Sequence, residues 1–356
     1  MNKKDKPPKI KDCSQLNFNT WLGPIPQVDP ADIPVDNSPY QYPPNFANDF
    51  NKHSVNAVKN AKSIGYSQYL TYVYDIAPYL FYCPGIHPRA LTMYFFSMPS
   101  QAPALFYFYF SSISLEYVPL AVAIRTLLSR ISFPKNMAQV LVIIDSFADA
   151  YHTANPFLYE NKSDIVKIVN ASIVLTLNRR GEESMSCTSF LSILQSTKSP
   201  TEDKERVYEY LKSNPIPLFF GFVELTSEPN MAMCGELTKI GSGSLLKRKK
   251  KRLFQLTGYT NVMQSFKGKE KNELSLEIPL TNIKVKYIPA NQKDPSHFIL
   301  KSGDGNPFGK KYANGKVKPS KNNFYTFYAN NDKDVRHWVD MINLVSFHKL
   351  IKELAK

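Results

Sequence analysis

Six consecutive cations, Lys247-Arg248-Lys249-Lys250-Lys251-Arg252, are the residues of this 356-residue chain whose type and spacing point most directly to chemistry. Alternate residues of a strand share a face, so Arg248, Lys250 and Arg252 point one way and Lys247, Lys249 and Lys251 the other. Lys239 precedes them across a Gly241-Ser242-Gly243 turn and can join the first set. Fixed cations beside the backbone N–H groups of a glycine-containing loop suit phosphate, held by charge-assisted hydrogen bonds. A solvated nuclear-localisation-type run is the competing reading of any basic hexamer. Attachment to a strand and a turn favours the phosphate site. No aromatic residue interleaves with the six cations to stack on bases, which argues against nucleic acid.

Other chemistries find little support. The six histidines (His53, His87, His152, His297, His337, His348) lack metal-ligand spacing, and neither a GxSxG nor a P-loop sequence is present. Cys13, Cys83, Cys187 and Cys234 form no CxxC pair, which argues against both a zinc site and a disulfide framework and for a reduced, cytosolic setting. No metal and no cofactor is expected. The start MNKKDKPPKIKD is basic but has no apolar core of a secretory signal, and Asn2 is not the glycine that myristoylation needs. Residues 102–124 are long and apolar enough to be weighed as a membrane span. They contain Pro103, Pro119, Glu116 and three serines, and a charge at a membrane centre costs about 2.5–3.5 kcal/mol. The stretch therefore reads as buried core.

The elements that must position the cations follow from charge and pattern. The chain carries a net +14, yet residues 1–229 hold 20 basic and 20 acidic side chains while 230–356 hold 24 and 10. The whole excess lies in the last third, so a neutral module is joined to a basic one that meets a polyanion. Residues 1–48 hold nine prolines and read as an extended arm, with Trp21 and Tyr40 as aromatic contacts to the first domain. From 49 to 213 apolar residues recur mostly at helical spacing, as in the stripe Leu120, Ile124, Leu127, Leu128 and Ile131. Val140–Ile144 and Ile165–Leu177 are rich in β-branched residues and fit strands on propensity alone. Ser163 and Asp164 supply cap chemistry for a helix reaching about Asn178.

A linker at 214–229 leads to short alternating runs between turns. Strands are expected at Gly235–Ile240, Arg252–Leu256, Leu274–Ile278, Ile283–Tyr287, Phe298–Lys301 and Phe324–Tyr328. An amphipathic helix follows at Asp332–Val345, with Val335, Trp338, Met341, Ile342 and Val345 on one face. The basic module thus spans 230–347, and 348–356 read as a basic helical extension.

These residues carry a resemblance. Gly235-Glu-Leu-Thr-Lys239, the glycine turn, Lys250-Lys-Arg252-Leu-Phe-Gln-Leu, Ile278-Pro-Leu-Thr-Asn-Ile283, Phe298, Gly315-Lys-Val317, Tyr325 and Val335-Arg-His-Trp338 resemble a pleckstrin-homology domain, most of all that of the cytohesins with its extra hairpin before the last strand. The resemblance implies a phosphoinositide site at Lys239, Lys250 and Arg252, with Arg248 on the same face and Lys310 and Lys311 adding charge near the hairpin. Trp338 matches the structural tryptophan of the closing helix. Gln264 stands near the family's inositide-binding tyrosine, Ser275 near an arginine, and Lys321-Asn322 at the asparagine-histidine pair.

The neutral module resembles the helical ARF-exchange domain that cytohesins carry, called Sec-seven. The resemblance runs through Pro119-Leu-Ala-Val-Ala-Ile-Arg-Thr-Leu-Leu-Ser-Arg-Ile-Ser-Phe-Pro134, then Lys135 to Ala148, Tyr151, Asn155-Pro156 and Asp164 to Arg180. It implies that the β-branched segments are helices. In the family an invading glutamate repels the nucleotide's β-phosphate and so expels GDP. Asn136 stands at that position here, after Lys135 where the family has glycine. In the ungapped register Thr176 and Asn178 occupy the second motif's asparagine and aspartate, while a short insertion would place Leu177-Asn178 on its leucine-asparagine. Phe133, Asn170, Ser172 and Ile173 fall on the groove that meets the GTPase. The expected fold is an all-α exchange-type domain followed by a pleckstrin-homology β-barrel capped by a C-terminal helix. The expected function is a cytoplasmic, peripheral-membrane exchange factor, or degenerate relative, for an ARF-type small GTPase, recruited by phosphoinositide. The alternative is a non-catalytic membrane adaptor that retains the fold.

Overall fold

The computed structural model describes residues 38–178, 185–221, 232–241, 249–257, 262–267, 273–280, 283–303, 305, 308–311, 317–319 and 323–355, which fall into two compact units. The first is helical: α1 (Phe46–Ala61), α2 (Val73–Phe81), α3 (Pro88–Phe96), α4 (Ala102–Phe110), α5 (Leu120–Leu128), α6 (Met137–Ala154), α7 (Lys162–Asn178), α8 (Cys187–Ile193) and α9 (Thr201–Ser213). The apolar stretch at 102–124 is two helices, α4 and the start of α5, parted at Ser111 and restarted after Pro119. Among the described residues no helix is long and apolar enough to cross a membrane.

All nine residues of α5 are buried, Arg125 included, whose Nε donates to the Pro215 carbonyl at 3.3 Å. Burying a helix on every side requires its end groups to be satisfied from within the protein. At its start, Tyr151 donates its hydroxyl to Val118 O at 2.7 Å. Asn155, the residue closing α6, accepts the Tyr117 N–H at 2.9 Å and donates to Leu115 O at 2.8 Å. Tyr117 sits at φ 61, in the left-handed region that costs a non-glycine residue energy, so side-chain hydrogen bonds hold this turn in place. Past its end, Arg130 donates to Phe81 O at 3.0 Å and lies 4.1 Å from the Phe81 ring centroid. Ser132 N–H reaches Thr92 Oγ1 at 3.1 Å.

The two β-branched segments are helical, α6 and α7. Residues 168–178 of α7 are buried without interruption, so tertiary burial overrides their strand propensity. Helix α7 begins at Lys162, ahead of the expected Ser163-Asp164 cap. Asp164 instead ties the helix to the segment before α9, accepting Lys198 N–H at 2.9 Å and Ser199 Oγ–H at 3.2 Å.

The second unit contains β3 (Ala232–Gly241), β4 (Lys250–Thr257), β5 (Val262–Lys267), β6 (Glu273–Pro279), β7 (Ile283–Ile288), β8 (His297–Ser302), β9 (Gly309–Lys311), β10 (Val317–Pro319), β11 (Phe324–Tyr328) and α10 (Asp332–Leu354). Its antiparallel sheet runs β6-β5-β4-β3-β11-β8-β7, and β9 and β10 form a separate hairpin, with β9 lying against β6. The expected barrel is corrected to an open sheet: among the described residues, β6 and β7 are edges. Strand β6 ends at Pro279, and among the described residues no pairing joins β6 to β7. Strand β5 escaped the sequence reading because Ser265 occupies a buried core-facing position and breaks the apolar alternation. Trp338 of α10 is buried on the sheet, where a Cβ at Gly235 would come within 3.4 Å of its ring.

Replacing Asn155 with alanine strands the Tyr117 N–H and the Leu115 carbonyl. The expected cost is about 2–4 kcal/mol, since a buried group left unsatisfied costs about 1–3 and the Tyr117 N–H is only partly buried. Urea unfolding followed by helical circular dichroism reads this as a lowered midpoint, and an unchanged midpoint would remove Asn155 from this role.

Candidate functional site

In the helical unit the loop between α5 and α6 presents Lys135 and Asn136, both exposed. Its base is fixed by a two-residue parallel pairing of β1 (Ser132–Phe133) with β2 (Phe219–Phe220), and Gly221 N–H donates to Phe133 O at 3.0 Å. Phe133 is fully buried and faces the Phe220 ring at 6.3 Å. Pro134 then leads to Asn136, which is the N-cap of α6: its backbone is extended and its Oδ1 accepts the Ala138 N–H at 2.9 Å. The amide at this position is thus engaged in starting the helix, as asparagine commonly is.

The remaining sequence-derived positions lie on α7. Asn170, Ser172 and Ile173 are fully buried, as is Phe133. Ser172 Oγ satisfies itself on Ile168 O at 2.7 Å. Both polar atoms of the Asn170 amide lack a hydrogen-bond partner among the described residues, as does Asn178 Oδ1. Thr176 Oγ1 accepts the Ile216 N–H at 3.5 Å, joining α7 to the segment after α9. The structure therefore separates Lys135 and Asn136, on a surface loop, from buried polar groups on α7.

Sequence reasoning did not anticipate a cavity of about 880 Å³ lined by Leu120, Tyr151, Phe157, Tyr159, Lys198 and Tyr210 among others. It lies at the far end of α6, about 27 Å of helix from Asn136. Three separate stretches of chain, 118–122, 151–164 and 198–210, build it, so no local pattern could have signalled it.

In the second unit the register places the cations. Lys239 of β3 stands directly opposite Lys250 of β4, and Leu237 opposite Arg252. Lys239 shares its face with buried Leu237, and Lys250 and Arg252 share theirs with buried Phe254 and Leu256. All three cations therefore lie on the core-facing side of the sheet, at the end where the apolar side chains stop. Lys251 points to the other face and pairs with Glu236 at 2.9 Å. The expected split of the basic run by alternation holds for the described members; Arg248 and Asn322 lie outside the described residues. Lys310 and Lys311 are on β9, in the hairpin expected before the last strand. Lys239 Nζ sits 4.2 Å from the Tyr325 ring centroid, and that ring stacks on Phe308 at 5.3 Å. The ring thus orients the ammonium, a contact that only the β3–β11 register could have revealed. Gln264 is turned to the outer face, where its Nε2 donates to Glu277 Oε2 at 3.0 Å, and contributes nothing to the cation cluster. Among the described residues no group of three or more His, Cys, Asp or Glu side chains could hold a metal ion.

This arrangement of helices, loop and cation-bearing sheet coincides with two family models, a Sec7 domain over residues 43–216 and a PH domain over residues 231–347. The chain carries a Sec7 domain followed by a PH domain. Among solved structures it is similar to the Sec7p catalytic domain, at 16% identity and TM-score 0.45, over 50% of this chain and 99% of that one. A mutant of RalF from Legionella pneumophila aligns at 12% identity and TM-score 0.44, over 88% of this chain and 99% of that one. The ORP8 PH domain aligns at 18% identity and TM-score 0.27, over 32% of this chain and 94% of that one. A search of curated proteins finds no match. The domain assignment rests on the two family models.

The cap geometry separates the structural role of Asn136 from any chemical one. Asn136→Ala is expected to lower stability by about 1 kcal/mol, and Asn136→Asp to leave it unchanged, because aspartate caps as well as asparagine. Thermal unfolding of the three forms checks this; equal stability of the alanine form would show that the cap contributes nothing.

Proposed function

We propose that this protein is a membrane-recruited relative of the ARF exchange factors. Its Sec7 domain engages an ARF-type small GTPase, and its PH domain engages a phosphoinositide surface. Lys239, Lys250 and Arg252 take the phosphates, with Arg248, Lys310, Lys311 and Asn322 as supplementary contacts. The observation that carries the lipid half is the direct cross-strand pairing of Lys239 with Lys250. Like charges placed opposite one another destabilise a sheet, and a bound anion offsets that cost. Vesicles of phosphatidylcholine with and without phosphoinositide test it. Lys250→Ala and Arg252→Ala should each weaken sedimentation with phosphoinositide vesicles about tenfold or more, because hydrogen bonds to charged groups contribute about 1.5–3 kcal/mol. Equal binding to both vesicle types would overturn it.

On the GTPase side, Asn136 and Lys135 would face the nucleotide phosphates, while Thr176 and Asn178 take the second motif's positions and Phe133, Asn170, Ser172 and Ile173 those of the groove. The neutral amide at 136, engaged as a helix cap, favours the second reading, a non-catalytic adaptor that binds the GTPase without expelling GDP. A carboxylate aimed at the β-phosphate acts by charge alone, and Lys135 beside it attracts phosphate instead of repelling it. Asn136→Glu is therefore expected to raise GDP release from an ARF-type GTPase by about 10²–10³, the scale of one transition-state electrostatic contact. Release that stays at the spontaneous rate in both forms would sink the exchange reading and leave the adaptor.

A further inference from the structure

The cavity at the far end of α6 is used by neither proposed partner site, and its lining holds a carboxylate that no cation matches. Protein interiors leave few voids larger than a water molecule, whereas a volume of about 880 Å³ is on the scale of a ligand pocket. Its whole lining belongs to the helical unit. Leu120 of α5 and Val207 of α9 give it buried apolar wall, and Tyr151 and Tyr159 bring aromatic rings from α6 and the turn after it.

The charges around the cavity do not balance. Four carboxylates, those of Glu160, Asp164, Glu202 and Asp203, line it against two cations, Lys198 and Arg206. Both cations are already engaged, Lys198 at 3.6 Å from Glu160 and Arg206 at 3.4 Å from Asp203. Glu202 and Asp203 stand in the first turn of α9, where a carboxylate favours the helix dipole and needs no ligand. Asp164 has the same setting on α7 but differs in burial, being 5% exposed. Its two hydrogen bonds, from the Lys198 N–H and the Ser199 hydroxyl, both fall on Oδ2. Among the described residues Oδ1 accepts no hydrogen bond and no cation pairs with the group. A carboxylate shielded from water is held best with a counter-charge beside it.

The rings say what kind of cation fits. Tyr151 and Tyr159 meet with centroids 6.0 Å apart and planes at 65°, so they stand as two walls of a corner. The Tyr151 hydroxyl is tied to Val118 O at 2.7 Å, which fixes its ring. Phe157 adds an aromatic side chain to the lining and is itself 71% exposed. Aromatic faces attract an ammonium through the ring quadrupole, and they suit one whose carbon substituents seek apolar contact. An anionic ligand meets the excess of carboxylates and is repelled.

We propose that this cavity binds an organic ammonium ion carried on an apolar body, with the charge between Asp164 and the Tyr151 and Tyr159 rings and the apolar part on Leu120 and Val207. The site stands apart from the GTPase and lipid readings, because it shares no residue with either. Ligand-observed proton NMR titrations of the full chain test it with phenyltrimethylammonium and with tert-butylbenzene, which has the same shape without the charge. The cation should bind about ten times more tightly, or better, than the hydrocarbon. Asp164→Asn keeps an oxygen for the Lys198 N–H, and should erase that preference while tert-butylbenzene still binds. Equal affinities in the unaltered protein, or a preference that survives Asp164→Asn, would overturn the proposal. Should Asp164→Asn fail to fold, Phe157→Ala locates the site instead, since its exposed ring can be removed without opening the core. There the cation should bind about two- to fivefold more weakly, the scale of one exposed cation–π contact, and an unchanged affinity would likewise overturn the proposal.

Discussion

The helical unit depends on one constraint, the complete burial of α5. A nine-residue helix that loses all contact with water leaves the polar groups of its turns to be satisfied by the protein. Tyr151 and Asn155, both near the end of α6, meet that demand at the incoming turn. At the outgoing one Arg130 and Ile131 N–H donate to the Leu127 and Leu128 carbonyls and Ser129 Oγ to that of Thr126, while Thr92 and the β1–β2 pairing hold the segment that follows. The consequence reaches the loop between α5 and α6 directly. Because Ser132 and Phe133 are held by backbone and side-chain hydrogen bonds, Lys135 and Asn136 emerge at a defined place on the surface, and α6 starts there under the Asn136 cap.

The same loop starts α6 on a cap that neutral and acidic side chains can both supply. Asparagine and aspartate serve equally as helix caps, and glutamate serves less well. A neutral amide at 136 keeps this cap, and on the proposed reading it lacks the charge that repulsion of a nucleotide phosphate would need. In the PH domain the balance is reversed, because charge is concentrated where structure alone disfavours it. Lys239 and Lys250 face each other across a ladder, and the Tyr325 ring supports one of them through its π face. A sheet that holds two ammonium groups side by side is prepared for an anion.

Legibility followed the range of the interaction. The six strands expected from alternation are present, and so is the C-terminal helix, because an alternating or helical stripe is a local property of the chain. The strand β5 was missed where Ser265 occupies a core position, and α6 and α7 needed a family resemblance because their β-branched residues misstate the outcome. In α7, unbroken burial of residues 168–178 decides for helix, and burial is set by the rest of the domain.

The sequence by itself determined the division into a neutral and a basic module, the split of the cationic run between two faces, and the neutral residue at position 136. Each is a matter of residue identity and period, readable one segment at a time. Only the tertiary structure decided that the sheet stays open among the described residues, that Phe133, Asn170, Ser172 and Ile173 are buried, that Lys239 rests on Tyr325, and that Tyr40 packs against Tyr69, Tyr79 and Tyr82. Those outcomes depend on residues far apart in the chain meeting in space, and the energy of such meetings is not written in any one segment.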